Sequence, residues 1–323
     1  MTQYLKTLAR VLDPVSALDR LPPIEPGRKL VLGSATNYEL DDIKAFVLSL
    51  RAHFDGDVCL FVNRESEDLR AFLRAHAVEG FCVEDLPFEF GARVEFVRYA
   101  YFLWYLRQSA TLPEAVLMTD TRDVVFQGPP FPDDVADTVQ YYTEANDVPL
   151  RDHPTGRWLV STFGRDVASL LGEKPCICCG TIIGRGDRIV QFLGAMLPLG
   201  AIPRFAQARS FGIDQAITNY IAYFDMLGTS VVNPNGGNVA TLGMVAPGAL
   251  RISGTNVYNA DGSLSPIVHQ YDRHPKLWNA VVDRYHLGKT RRMVEAEENN
   301  RGDLARKLDY WRWEVLRRIP ELR

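Results

Sequence analysis

Apolar and polar positions along the chain follow two alternating periods. Short continuous apolar runs occur at 29–36, 57–63, 80–84, 116–118, 124–126 and 139–144, each bounded by small or charged residues, and each reads as a buried strand. Between them the period changes to 3.6. After the polar segment 37–42, Ile43, Phe46, Val47 and Leu50 fall on one helical face, and residues 65–76 and 93–107 predict further helices. The resulting β-α-β-α-β alternation predicts an α/β, Rossmann-like domain. Ahead of it, a short helix at 4–12 and the Pro-rich stretch Leu21-Pro22-Pro23-Ile24-Glu25-Pro26-Gly27 predict an arm over 1–28, leaving 29–288 as the main domain.

Further along, 146–158 is polar and Pro-containing, suited to a loop beside a site. Residues 176–186 are apolar with glycines at 180, 184 and 186, and Asp187 is the expected cap of a helix over 188–197. A helix over 211–223 carries Asp214 and Gln215 in its first turn, where acids often serve only the helix dipole. A turn at 233–238, short strands within 245–258 and a short apolar strand ending at His269 follow. From 289 the composition shifts, and a C-terminal helical tail covers 289–323. In it Leu304, Leu308, Trp311, Val315 and Ile319 line one helical face, flanked by Arg306, Lys307, Arg312, Arg317 and Arg318. That stripe fits a helix docked on the domain; it also fits a peripheral membrane contact through 304–319.

Composition narrows the class. The 323 residues are 46% hydrophobic and 24% charged, ordinary for a globular enzyme, and a net charge of -4 gives no reason to expect nucleic acid as a partner. No apolar run approaches the roughly 20 residues of a membrane span, and the amino-terminal segment carries no secretory h-region. Five cysteines, three in Cys176-x-Cys178-Cys179, make no even disulfide framework, so a reducing, cytoplasmic compartment is expected. The Cys-x-Cys-Cys run reads as small buried thiols rather than a soft-metal site, because no second Cys/His pair lies nearby in sequence. The loop Ser34-Ala35-Thr36-Asn37-Tyr38 lacks Gly-x-Gly-x-x-Gly, and no Gly-x4-Gly-Lys loop occurs, which disfavours dinucleotide cofactors and P-loop chemistry.

The strongest chemical signal is the stretch 116–127. Asp120, Arg122 and Asp123 interrupt two apolar runs, so charges sit at a strand end where an open α/β sheet binds ligands. One reading gives Asp120 and Asp123 a divalent metal on a nucleotide diphosphate; the other is a turn with N-capping aspartates and a surface arginine. On an extended strand, residues i and i+2 share a face about 6.6 Å apart. An i, i+3 pair converges only if the strand breaks into a turn, which the polar run 119–123 permits. Arg98 interrupts the apolar face of its helix and wants an anion, either a phosphate or a core acid such as Glu95. His269, at a strand end, is a structural histidine or a third metal ligand.

Taken in order, Arg98-Tyr99, Asp120-Thr121-Arg122-Asp123, Cys179-Gly180-Thr181, Asp214-Gln215-Ala216-Ile217-Thr218-Asn219 and Val268-His269-Gln270 resemble the motifs of the GT-A glycosyltransferases, the family-8-like enzymes in particular, over about residues 29–278. The chain departs from them in having Asp-x-x-Asp where the family has Asp-x-Asp, and Asp272 where it has Gly, with Lys276 and Trp278 one residue late. The resemblance implies a GT-A fold, a mixed sheet flanked by helices. It also implies transfer of a sugar from a nucleotide-sugar donor to a glycan, lipid-linked or other hydroxyl acceptor. It implies Mn²⁺ or Mg²⁺ on Asp120, Asp123 and His269, phosphate contacts from Arg98, Arg122 and Lys276, and a nucleoside held by Ser34, Ala35, Thr36 and Tyr38. Gly180 would give access to the donor sugar, and Asp214 and Gln215 would lie at the reacting centre, Asp214 as base if the enzyme inverts and Gln215 steadying the reacting face if it retains. Two rivals stay open: a non-catalytic sugar-nucleotide or glycan-binding protein on the same scaffold, and a nucleotidyltransferase.

Overall fold

The computed structural model describes residues 8, 21–64, 67–88, 92–133, 135–200, 211–245 and 251–288. The helix expected at 4–12 (residue 8 apart), the tail 289–323 with its stripe at 304–319, and part of 245–258 lie outside the described residues. Seven strands form the main sheet: β1 (Ile24–Ser34), β2 (Asp57–Val62), β3 (Glu79–Cys82), β4 (Leu112–Thr119), β6 (Val139–Thr143), β7 (Ile177–Gly184) and β8 (Ser230–Asn233), in the order β3-β2-β1-β4-β7-β6-β8. All pairings are parallel except those of β7, which runs against both β4 and β6. The α/β class and the mixed sheet flanked by helices are therefore present. β1 starts earlier than expected, since Ile24 pairs with Leu112, so the last residues of the expected arm belong to the first strand.

Strand periodicity explains the layers. On β1, Leu30 and Leu32 face one side and Val31 the other; on β4, Val116 and Met118 oppose Ala115 and Leu117. The first side is covered by α3 (Val94–Gln108), α6 (Gly186–Leu199) and α7 (Ile213–Tyr223), through Phe96, Phe102, Phe192 and Ile217. The second is covered by α1 (Leu40–Arg51) and α2 (Glu67–Ala75), whose Phe46, Leu50, Leu69 and Leu73 are buried. With both faces covered, the strands read as continuous apolar runs.

Two features position the chemistry. The chain winds outward from β1 through β2 to β3, then returns across β1 by way of α3 to β4. The carboxyl ends of β1 and β4 are thus a topological switch point, the position beyond which open α/β sheets bind ligands in a crevice. Beside it lies a small sheet, β5 (Val124–Phe126), β12 (Ile267–His269) and β9 (Val239–Thr241), backed by α8 (Pro275–Tyr285). β12 runs antiparallel to β5 with His269 opposite Val124, and Gln270 N donates to Asp123 O at 2.7 Å. That pairing joins positions almost 150 residues apart, as the register shows.

The polar stretch after β6 is partly helical. α4 (Pro154–Phe163), capped by His153, which accepts from Thr155 N, begins inside the 146–158 stretch expected to be loop, and α5 (Arg165–Leu171) follows it. Asp187 is not the cap of α6; Arg185 holds that position, and Asp187, two residues later, binds the Arg185 guanidinium at 2.7 Å. Among the described residues no helix is long and apolar enough to cross a membrane.

Candidate metal and donor site

Strand β4 ends at Thr119, and residues 120–123 leave the sheet as a turn before β5 begins. The turn is pinned from both sides: Asp120 N donates to Gly180 O at 2.8 Å, and Thr121 Oγ1 donates to Ser34 O at 2.8 Å. The break in the strand makes an i, i+3 acid pair converge. One carboxylate oxygen of Asp120, one of Asp123 and a ring nitrogen of His269 all lie within 4.8 Å of one another. His269 Nε2 stands 3.3 Å from Asp120 Oδ2 and 3.8 Å from Asp123 Oδ1.

Gly180 makes this approach possible. β7 runs antiparallel to β4, so its early residues lie against the end of β4, and a Cβ on Gly180 would sit 2.3 Å from His269 Cε1 and 2.6 Å from Asp120 Oδ2. The resemblance implies that this glycine faces a donor sugar; its observed neighbours are the two ligand candidates themselves.

Arg98, on α3, is engaged by core acids, though not by Glu95, which pairs with Arg93. Its guanidinium forms an ion pair with Asp120 Oδ1 and lies 3.4 Å from Asp214 Oδ2, with the Tyr99 ring 5.1 Å away. Asp120 therefore offers one oxygen to Arg98 and turns the other towards His269. Burial favours the neutral acid at Asp120, but Arg98 and His269 outweigh it and hold the carboxyl well below its usual range. At Asp123 the guanidinium of Arg273 stands off at 4.0 Å; burial pushes the carboxyl up, against the pull of His269 and with the push of Asp120. Burial opposes charge on His269, yet Cys178, Asp123 and Asp120 together hold its ring well above the usual range.

A divalent cation fits this group. His269 Nδ1 faces Cys178 Sγ at 3.5 Å, while the buried Nε2 has no hydrogen-bond partner and points towards two carboxylates. Imidazole and carboxylate oxygens suit Mn²⁺ or Mg²⁺.

The other sequence candidates divide into three sets. Tyr38 is half-buried beside the acids, its phenol pushed up first by burial and then by Asp120. Ser34 and Thr36 join their hydroxyls at 3.0 Å, and buried Ala35 spends its amide on Phe61 O at 2.8 Å, so this loop is firmly held beside the acids. Arg122 is nearly half exposed and lies 3.6 Å from Asp272. Asp214 is buried against Arg98 and Cys179, and burial raises its carboxyl in spite of Arg98. Gln215 turns elsewhere: its Nε2 donates to Glu144 Oε2 at 2.9 Å and Thr155 Oγ1 at 3.0 Å. Lys276 is exposed on the first turn of α8 and makes none of the contacts in the cluster.

Sequence reasoning missed Arg273, which lies 2.6 Å from Asp272 and 4.0 Å from Asp123, and the Cys178 partner of His269. Arg273 sits in a short 3-10 turn after β12, and only the β5–β12 pairing brings it to Asp123. It missed too the task of Asn219, which grips the backbone of Ile177 with both ends of its amide, at 2.9 Å each. No protein-family model matches this chain, and no match is found among curated proteins.

Proposed function

We propose that this protein is a glycosyltransferase with a GT-A fold, moving a sugar from a nucleotide-diphosphate-sugar donor to a hydroxyl acceptor. The reading rests on one observation: the ligand atoms of Asp120, Asp123 and His269 converge within 4.8 Å, at the switch point of the sheet. The 34–38 loop beside a carboxylate–imidazole group suits a nucleoside joined to a diphosphate. Asp120, Asp123 and His269 would hold Mn²⁺ or Mg²⁺. When bound, such an ion offsets the charge that builds on a departing diphosphate.

The chain's own residues have separable tasks in this scheme. Arg98 is a positioning residue: its guanidinium fixes Asp120 and Asp214 rather than reaching for a phosphate. Arg122 and Arg273, both nearly half exposed and both paired with Asp272, are the arginines placed to extend to phosphate oxygens. Asp214, whose proton affinity is raised by burial, is the candidate base for an acceptor hydroxyl if the reaction inverts the anomeric centre. Gln215 steadies the wall beside it through Glu144.

The test is a thermal-shift panel of nucleoside diphosphates with and without Mn²⁺. One base should stabilise the protein, and only with metal, by an amount that grows with ligand concentration. The Asp123→Ala protein should lose that response. Stabilisation by no diphosphate, or a full metal response in D123A, would sink the proposal. The hold of Arg98 on Asp120 keeps one rival in play, a sugar-nucleotide-binding protein without transfer; it predicts donor binding with no nucleotide released when acceptors are present.

A further inference from the structure

Glu144 follows β6, His153 caps α4 and Cys176 precedes β7, and the fold brings all three together. Glu144 N donates to Cys176 O at 2.7 Å, which continues the β6–β7 ladder by one pair. The chain between them folds back through a Pro149–Pro175 bridge, with Leu150 N donating to Lys174 O at 2.8 Å, and so delivers His153 onto the same spot. All three side chains are buried, and one carboxylate oxygen, one imidazole nitrogen and the thiol sulfur lie within 4.8 Å of one another.

We propose that Glu144, His153 and Cys176 form a second metal site, a zinc-type centre that pins α4 to the sheet. The donor set is a thiolate, an imidazole and a carboxylate, the combination that zinc accepts and hard cations such as Mg²⁺ do not. The spacing is close to what coordination requires. Bonds of about 2.0–2.3 Å to a tetrahedral ion put neighbouring ligand atoms roughly 3.5 Å apart. Here His153 Nε2 is 3.4 Å and Cys176 Sγ 4.0 Å from Glu144 Oε2.

Two further observations point to an ion. His153 Nε2 is buried, aimed at the cluster and without a hydrogen-bond partner. Glu144 is a buried carboxylate that, among the described residues, forms no ion pair with lysine or arginine. Zn²⁺ with one thiolate and one carboxylate is a neutral unit, which a buried setting tolerates far better than a lone carboxylate.

This site is separate in kind from the Asp120 group. It is soft and enclosed, and Gln215 lies against it, its amide 3.1 Å from Cys176 Sγ and 3.9 Å from that of Cys179. Occupancy by zinc would therefore also fix the Gln215 side chain.

Cobalt reports on it directly. Full-length protein freed of metal by chelation should bind Co²⁺ with a thiolate-to-cobalt charge-transfer band and the strong visible absorption of tetrahedral cobalt, both erased by added Zn²⁺. Cys178→Ser and Asp123→Ala should keep both signals, which separates this site from the donor-site reading: that reading can fail with this one intact, and the reverse. Cys176→Ser should abolish the charge-transfer band. Glu144→Gln, which keeps the side chain's shape, should weaken Co²⁺ at least about tenfold. A wild-type protein with no thiolate band, a band that survives in C176S, or unchanged affinity in E144Q would each overturn the proposal.

Discussion

Adding one methyl group at Gly180 tests the geometry of the Asp120–Asp123–His269 group more sharply than removing a ligand does. A Cβ there would lie 2.3 Å and 2.7 Å from two atoms of the His269 ring and 2.6 Å from Asp120 Oδ2. Ordinary carbon contacts need about 3.5–4.0 Å, so the ring must retreat by roughly 1 Å or more. It has little freedom to do so, because β12 is locked to β5 and β9 on either side and Nδ1 rests on Cys178. Metal geometry tolerates only about 0.2 Å. Gly180→Ala should therefore cost about 10- to 100-fold in Mn²⁺ affinity, the range found when the surroundings of a ligand are disturbed. Overpacking should also lower stability by about 1–3 kcal/mol. Gly180 has ordinary backbone angles, so strain from the backbone itself would not confuse the result. The matched control is Gly194→Ala in α6, where an added Cβ meets nothing within 4 Å and helix propensity alone should raise stability by about 0.5–1 kcal/mol. Calorimetric titration with Mn²⁺ and denaturant melts on the three proteins would decide it. A G180A protein that binds Mn²⁺ like wild type would refute the claim that this glycine sets the ligand spacing.

Other expectations follow from the same contacts. Arg98→Met should destabilise the protein by about 3 kcal/mol, because buried Asp214 and half-buried Asp120 lose their counter-ion; adding Asp214→Asn should recover part of that loss, and strictly additive melting data would argue against the coupling. Asn219→Ala frees both backbone groups of Ile177 inside the core and should cost about 2–4 kcal/mol by chemical denaturation; a cost below about 0.5 would contradict the clasp. Burial pushes Tyr101 and Tyr142 up to about 12, against about 10 in an unfolded chain. The folded state keeps protons that the unfolded state sheds, so their contribution is whole below about pH 10 and is lost as pH rises through about 12. Phenolate absorbance that titrates in a single step near pH 10, with the fold intact, would count against this.

Much of the scaffold was legible because it is local. The apolar runs of β1, β2 and β4 and the Ile43, Phe46, Val47, Leu50 face of α1 announce themselves by period. The acids at 120 and 123 and the histidine at 269 stood out as charges at strand ends. What escaped was long-range or disguised. α4 buries Thr155 and Thr162 along with Leu159, so two of its three buried residues carry hydroxyls and the stripe does not read as apolar. The neighbours of Gln215 come from β6, α4 and β7, and no window of sequence contains them. Asp187 was assigned to a cap because acids favour helix starts, but Arg185 two residues earlier claims its carboxylate. Arg98 posed a question that sequence could not close: a buried guanidinium needs an anion, and the fold supplies two from β4 and α7.

The reversed direction of β7 has an architectural consequence. In a sheet whose strands all point one way, the segment leading into a strand begins on the far side from the ligand. Because β7 enters from the crevice side, everything from Glu144 to Cys176, helices α4 and α5 included, stands on the rim. Lengthening or shortening that excursion would reshape the entrance while leaving the registers of β1, β4 and β6 as they are, so the scaffold can exchange one clientele for another without rebuilding its floor.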